Sequence, residues 1–351
     1  MTMTRLQRLR SFALTALTLG ALVTPAVACG ATRPAEVGPA GVSIAPAAAQ
    51  VAGVAGDGSA SAPASAVAAP APPKLVAWGP APGLVAGAAG APAISGDGAI
   101  LIDEASGVTL FEKDPHNRLP PASLTKIMTA LLALERGHLN DQVEVSIDSR
   151  KMRGSTVMGL VPGERLSLED LLYGLMLPSG NDAALAIAEH VSGSPEAFVA
   201  LMNQRAAELG MINTHYANPH GLDAPSHYTS AFDLAVLTRV AMQRQDFRTI
   251  VNTRYHVATG LLSTYDLGTL NPLYGRLAGV DGVKTGFTRT ARQTLVGTVT
   301  RDGHRVVVVI LRSPDRASDG TALLRWAFEA YAWPPLPSSV YAADPAAVPG
   351  T

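Results

Sequence analysis

Ser123 and Lys126 stand three residues apart in the run PPASLTKIMTA, residues 120–130. The two prolines belong before or at the first turn of a helix, and the apolar residues after them recur at helical spacing. Positions i and i+3 of a helix share a face. A hydroxyl held beside an amine is the raw material of a nucleophile and its base. Alone the pair is weak, because Ser and Lys at this spacing occur on many solvated helices. Two further runs change its weight. PSGNDAA supplies Ser179, Gly180 and Asn181, and VDGVKTGFT supplies Lys284, Thr285 and Gly286. The first falls in a turn between predicted helices, and the second leads into a predicted strand. The three runs follow one another about 55 and 105 residues apart. A free lysine titrates near 10.4 and is mostly protonated at neutral pH. Burial and a second cation such as Lys284 would depress Lys126 and make it a base.

Ser-x-x-Lys, a Ser-x-Asn turn and Lys-Thr-Gly in this order are closely related to the trio of penicillin-recognising enzymes. From about Ile94 to Trp333 the chain resembles a serine-type D-alanyl-D-alanine carboxypeptidase, a low-molecular-mass penicillin-binding protein. LVPGERLSLEDLLYGLMLPSGNDAA, NPHGLD at 218–223, GVDGVKTGFT and RASDGTALLRWAF from Arg316 carry the same resemblance. SGN in place of SDN favours a peptidase over a class A β-lactamase. One departure is Arg292, where the family usually has glycine, and it bears on substrate preference if it lies on the strand lining the site.

The resemblance implies an α+β fold of the β-lactamase/transpeptidase type and a role for each motif residue. Ser123 would form an acyl-enzyme on the penultimate D-alanine, with Lys126 as base. Ser179 would relay a proton to the leaving amine. Asn181 would bind the substrate amide and help hold Lys126. Lys284 and Thr285 would meet the terminal carboxylate, and Gly286 would let the substrate backbone approach the strand. The oxyanion hole would be the backbone N–H of Ser123 and of Phe287. Arg316 matches an arginine near the carboxylate pocket; a surface salt bridge is the alternative for it. The implied partners are peptidoglycan stem peptides ending in D-Ala-D-Ala, and β-lactam antibiotics. No cofactor is implied.

The elements that must position these groups can be read in outline. Ala99–Asp103 and Val108–Glu112 are β-like runs around a turn. Ser167 with Asp170 resembles a capping box before LEDLLYGLML. Helices are predicted over 181–191, from Ser194-Pro195 to Gly210, and from Thr229 or Ser230 to Met242. QTLVGTVT and HRVVVVILR flank Asp302-Gly303, a hairpin turn. DGTALLRWAFEAY is a final amphipathic helix. Strands at both ends with helices between them predict an antiparallel sheet assembled from the two ends of the domain.

Composition narrows the function classes. The 351 residues carry 27 Lys+Arg against 28 Asp+Glu, a net charge of −1. That offers no field for nucleic acid or an anionic membrane. The eight histidines form no HExxH or paired spacing with acids, so no metal site is expected. Residues 1–28 read as an export signal, with Arg5, Arg8 and Arg10 before an apolar core and AVA at a cleavage site. The single cysteine, Cys29, follows directly, and AVAC resembles a lipobox, with plain secretion after Ala28 as the alternative. The expected place is the cell envelope or periplasm, or the outer membrane face through a lipid on Cys29. Residues 29–92 read as an Ala/Pro-rich disordered linker, 93–333 as the catalytic domain and 334–351 as a similar tail. The tail shows no pattern for a membrane-surface helix, which leaves the N-terminal lipid as the expected membrane contact.

Three alternatives to the carboxypeptidase stay open on sequence alone. A D,D-endopeptidase would use the same triad. A β-lactamase would need a deacylating acid, and Glu164 and Glu169 both fit the peptidase pattern. A non-enzymatic penicillin sensor is disfavoured by the intact motifs.

Overall fold

The computed structural model describes residues 77–335. The chain opens with three strands, β1 (Gly83–Leu84), β2 (Gly98–Asp103) and β3 (Thr109–Lys113). Helix α1 (Lys126–Arg136) follows a 3-10 turn at Ala122–Thr125. Two short strands, β4 (Gln142–Glu144) and β5 (Arg165–Ser167), pair with each other ahead of α2 (Leu168–Met176) and α3 (Asn181–Ser192). The helical region continues with α4 (Pro195–Glu208), α5 (Ala231–Ala241) and α6 (Gln245–Asn252). A hairpin of β6 (Tyr255–Thr259) and β7 (Thr264–Gly268) leads to β8 (Val280–Thr288), β9 (Arg292–Arg301) and β10 (His304–Ser313). Helix α7 (Arg316–Ala330) and β11 (Tyr331–Ala332) close the described chain.

The main sheet is antiparallel with order β3-β2-β10-β9-β8, so two strands from one end of the domain meet three from the other. This is the α+β arrangement read from the sequence. The HRVVVVILR run becomes the central strand, buried on both faces. Its alternate side chains divide between two cores. Val306, Val308 and Ile310 pack with Leu323, Leu324 and Ala327 of α7. Val307, Val309 and Leu311 face the other way, toward the core that holds α1 and α5. A strand covered on both sides needs a continuous apolar run, and each such side chain contributes about 1.5–3 kcal/mol when fully buried.

Helix α1 is the hub of the helical region. Every residue from Lys126 to Leu134 is buried, as expected for a helix that is apolar nearly all round. Its first residue is a lysine with 0% exposure. Ser167 caps α2 by accepting from the Asp170 amide, the bond implied by the capping-box spacing. Asp302 and Gly303 both take positive φ, +48° and +82°, in the predicted β9–β10 turn.

Ordered contacts begin within the stretch read as linker. Trp78 donates its amide to Ala105 O, and its ring carries the Arg239 guanidinium at 3.9 Å. β1 then pairs with β11, and Trp326 donates to Ala89 O. A large aromatic side chain is what the rest of the Ala/Pro stretch lacks, and it supplies the apolar area that holds this segment down. Residues 29–76, including Cys29, lie outside the described residues, as do the export signal and all but the first two residues of the tail.

Candidate active site

Ser123 lies on the 3-10 turn and Lys126 on the first residue of α1. The turn starts from Ala122, which takes φ +50°, an unfavourable conformation for a residue with a side chain. The result brings Lys126 Nζ to 3.0 Å from Ser123 Oγ. Nζ also donates to Asn181 Oδ1 at 2.5 Å and to the His220 carbonyl at 2.7 Å. Those two partners can only accept, so each takes an N–H of the amine. A neutral amine has two N–H bonds and one lone pair, and with both bonds committed the lone pair faces the serine hydroxyl. Burial, then the charge of Lys284, holds the Lys126 pKa well below the usual lysine value; Asp182 opposes this.

Asn181 opens α3, directly after Gly180. Its Oδ1 holds Lys126 and its Nδ2 donates to Ser155 Oγ at 2.5 Å. Ser179 takes φ +68°, and its buried Oγ has no hydrogen-bond partner among the described residues. The Ser179 carbonyl accepts from Thr156 Oγ1 at 2.9 Å, and the Asn181 amide donates back to Thr156 O at 2.8 Å. Asp182, fully buried, accepts the amides of Met158, Gly159 and Leu160 and so ties the 156–160 loop to α3. Ser155, Thr156 and Asp182 were not picked out by motif. They stand in GST and GND runs whose residue types suggest only a polar turn.

The opposite wall is β8. Lys284 is buried and Thr285 nearly so, while Phe287 is 66% exposed at the rim with Leu222 and Leu270. Burial and the nearby Arg316 charge bring Lys284 down to about 7. Arg316 donates Nη1 to Gly286 O at 2.6 Å and lines the same cleft as Ser123, Ser179, Asn181 and Thr285. It forms no ion pair with any described acid, so the surface salt bridge considered for it is not what the structure contains. Gly286 is required by packing: a Cβ there would lie 2.5 Å from Thr294 Oγ1 and 2.7 Å from Ser123 N. The strand and the nucleophile turn touch backbone to backbone at this point.

All nine motif-derived positions therefore meet in one cleft or its immediate wall. The model for the family described as D-alanyl-D-alanine carboxypeptidase (peptidase S11) matches residues 86–315. This chain belongs to the D-alanyl-D-alanine carboxypeptidase family. It is 36% identical over 247 residues to the D-alanyl-D-alanine carboxypeptidase DacF of Bacillus subtilis, covering 68% of this chain and 63% of that one. It is 36% identical over 251 residues to DacC of Escherichia coli, covering 68% and 62%. The chain thus matches under two thirds of the length of these relatives. The solved Streptomyces K15 DD-transpeptidase superposes with a TM-score of 0.65 at 31% identity, over 68% of this chain and 99% of that chain. A D-alanyl-D-alanine carboxypeptidase from Mycobacterium tuberculosis superposes with a TM-score of 0.65 at 33% identity, over 70% and 97%.

Within the carboxypeptidase family frame, two residues singled out from the sequence fall away from the cleft lining. Arg292 opens β9 at φ +53°, exposed and pairing with Thr288. A left-handed backbone is the conformation that glycine adopts most readily, and here Arg292 takes it. Glu164 is buried but fully engaged, accepting from Tyr265 Oη and the amides of Arg165 and Leu262. It braces the β6–β7 hairpin. His220 serves through its carbonyl, and His227 lies behind the nucleophile turn. Among the described residues, no three His, Cys, Asp or Glu side chains group as a metal site, and no helix is long and apolar enough to cross a membrane.

Proposed function

We propose that this chain is a serine D-alanyl-D-alanine carboxypeptidase that removes the terminal D-alanine from peptidoglycan stem peptides and is acylated by β-lactams. The observation that carries the reading is the Lys126 amine, buried, with both acceptor-only partners taken and its remaining face on Ser123 Oγ. Ser123 Oγ attacks the carbonyl carbon of the penultimate D-alanine, and its proton passes to Lys126 Nζ. The negative oxygen that forms is held by the backbone N–H of Ser123 and Phe287. Ser179 hands its proton to the departing nitrogen and takes one from Lys126, the C–N bond breaks, D-alanine leaves, and Lys126 is neutral again. Water then attacks the Ser123 ester and gives a proton to the again neutral Lys126, which passes it to Ser123 Oγ as the ester C–O bond breaks and the shortened peptide leaves. Lys284, Thr285 and Arg316 receive the terminal carboxylate, and Asn181 takes the substrate amide.

The cation pair at one end of the cleft supports a substrate with a free carboxylate. The engaged Glu164 counts against a β-lactamase, because it is not free to activate a deacylating water. Transfer to an amine in place of water is a second reading, favoured by the likeness to a protein titled a DD-transpeptidase. Incubation with diacetyl-L-Lys-D-Ala-D-Ala, with and without an amine acceptor, separates the two by release of free D-alanine against a transfer product. Intact-mass analysis after penicillin treatment should show one adduct, lost in Ser123→Ala; an adduct that persists in that variant refutes the assignment.

The family's substrate is outside the cytoplasm, which supports export. The AVAC run further supports cleavage before Cys29 and lipid attachment there. Fractionation of wild type and Cys29→Ala in a bacterial host tests it: equal partition into the soluble envelope fraction, with no lipid mass on Cys29, overturns the anchor.

A further inference from the structure

His227 is buried behind the nucleophile turn and does not line the cleft. Both of its ring nitrogens are used. Nδ1 accepts the Ala217 amide at 2.9 Å, so the ring proton resides on Nε2. Nε2 stands 2.8 Å from Thr125 Oγ1 and donates to it. The hydroxyl's own proton then goes to the Ala122 carbonyl at 2.8 Å. This is a one-way chain of three bonds, from Ala217 N–H through the imidazole and Thr125 to Ala122 O, with each donor used once.

The two ends of that chain are the two parts of the catalytic pair's support. Ala122 is the residue at φ +50° that sets the turn carrying Ser123. Ala217 begins the loop whose His220 carbonyl takes an N–H of Lys126 at 2.7 Å. The same loop presses Gly221 against Ala122 so closely that a Cβ at Gly221 would lie 2.0 Å from Ala122 O. One imidazole therefore sets the spacing between the turn that aims the serine and the loop that orients the amine.

We propose that His227, acting through Thr125, is a positioning residue for acylation: its neutral Nε2–H tautomer holds Ser123 and Lys126 in register. The proposal rests on Ser123 being the nucleophile of the proposed function. Protonation at Nδ1 would set an N–H against the Ala217 N–H and break the chain. Burial, then the charge of His215, brings His227 down to about 4, while Asp223 pulls the other way. The other groups facing it are His220 across the loop and the Tyr216 ring, edge-on at 5.9 Å.

The test uses the full chain with Thr125→Val, Thr125→Ser, His227→Gln and the Thr125→Val/His227→Gln double variant. Readouts are the rate of acylation by a fluorescent penicillin, kcat and KM on diacetyl-L-Lys-D-Ala-D-Ala, and thermal unfolding. Positioning predicts that Thr125→Val and His227→Gln each lose about 10- to 100-fold in acylation and kcat with KM nearly unchanged. Thr125→Ser, which keeps the hydroxyl, should stay within about threefold of wild type, and the double variant should be no slower than the worse single. Equal losses in Thr125→Val and Thr125→Ser would overturn the proposal, because the methyl and not the hydrogen-bond chain would then matter. Additive losses in the double variant would overturn it as well. If His227→Gln does not fold, the two Thr125 variants decide alone. A wild-type chain that penicillin does not acylate at Ser123 would instead defeat the proposed function.

Discussion

Gly286→Ala tests how the site is held together. The added Cβ would lie 2.5 Å from Thr294 Oγ1, 2.7 Å from Ser123 N and 2.9 Å from Ala122 Cβ, where ordinary contact begins at 3.4 Å. None of the three is the free end of a flexible side chain. Thr294 Oγ1 is fixed by its bond to Pro121 O at 3.1 Å. The Ser123 amide must therefore retreat by about 0.7 Å, the difference between 2.7 and 3.4 Å. A misplacement of about 1 Å at reacting atoms costs on the order of 100-fold. The displaced amide is also one of the two proposed oxyanion donors, and losing such a donor costs about 100- to 1,000-fold. Overpacking of this kind destabilises by about 1–3 kcal/mol, which a domain stable by about 5–15 kcal/mol survives. The expected variant is folded, melts several degrees lower, and is acylated by penicillin about 100-fold more slowly. Adding Thr294→Ala removes the shortest clash but leaves the one with Ser123 N, so stability should recover more than acylation. A folded Gly286→Ala variant acylated within about threefold of wild type would refute the reasoning. So would a large loss of acylation at unchanged melting temperature, which would move the role of Gly286 from packing to substrate approach.

Two more predictions concern the lysines. Lys126→Arg should abolish acylation in a folded protein, because a guanidinium cannot accept the serine proton, whereas Lys284→Arg should mainly raise KM. If Lys284→Arg is the more damaging of the two in penicillin-labelling assays, the roles have been assigned the wrong way round. The second concerns stability of the unliganded protein: Lys126 and Lys284 both titrate lower in the fold than in the unfolded chain, Lys284 at about 7 against 10.5. Between those values the unfolded state binds more protons, so stability rises with pH across the lower part of that window. Above about 10 the unfolded tyrosines ionise while Tyr216 and Tyr265 resist, which reverses the trend. Urea midpoints at pH 7 and pH 9 should therefore increase in wild type and flatten in Lys284→Met; a fall from pH 7 to 9 in wild type would contradict it.

What was legible in the sequence is what depends on short range. The β2–β3 and β9–β10 hairpins, the Ser167 cap and the doubly buried β10 all follow from patterns a few residues long. The three motifs also announced themselves, since their chemistry requires side chains of fixed type. Helix α6 and the β6–β7 hairpin carry no such pattern. The helix spans only Gln245–Asn252, with Phe247, Ile250 and Val251 as its buried stripe, too short for a clear period. The hairpin keeps Tyr255 and Val257 exposed, so its alternation does not separate inside from outside. The support around the catalytic pair was hidden for another reason. His220 contributes a carbonyl, Asp182 collects the amides of Met158, Gly159 and Leu160, and His227 works through Thr125. A backbone atom has no residue type to read, and a partner 102 residues distant has no spacing to read. Gly286 and Arg292 were legible as unusual positions, yet their cause lies in a close approach and a left-handed backbone that only three dimensions disclose.

The electrostatics of the cleft connect binding to chemistry. Lys126, Lys284 and Arg316 repel one another in sequence, and the acid that acts on Lys126, Asp182, already spends its oxygens on backbone amides. Burial and a neighbouring cation lower each lysine, Lys284 acting on Lys126 and Arg316 acting on Lys284, and the question is which of the two lysines holds a proton. On the proposed reading the substrate answers it. A carboxylate seated against Lys284 and Arg316 favours the charged form of Lys284, which lies beside it. The charge so fixed on Lys284 keeps Lys126 neutral, with its lone pair on Ser123 Oγ. Binding the correct end of the peptide thus selects the protonation state in which the nucleophile is active. The carboxylate of a penicillin would select the same state, so a single arrangement of charge accounts for both hydrolysis of the peptide and capture by the antibiotic.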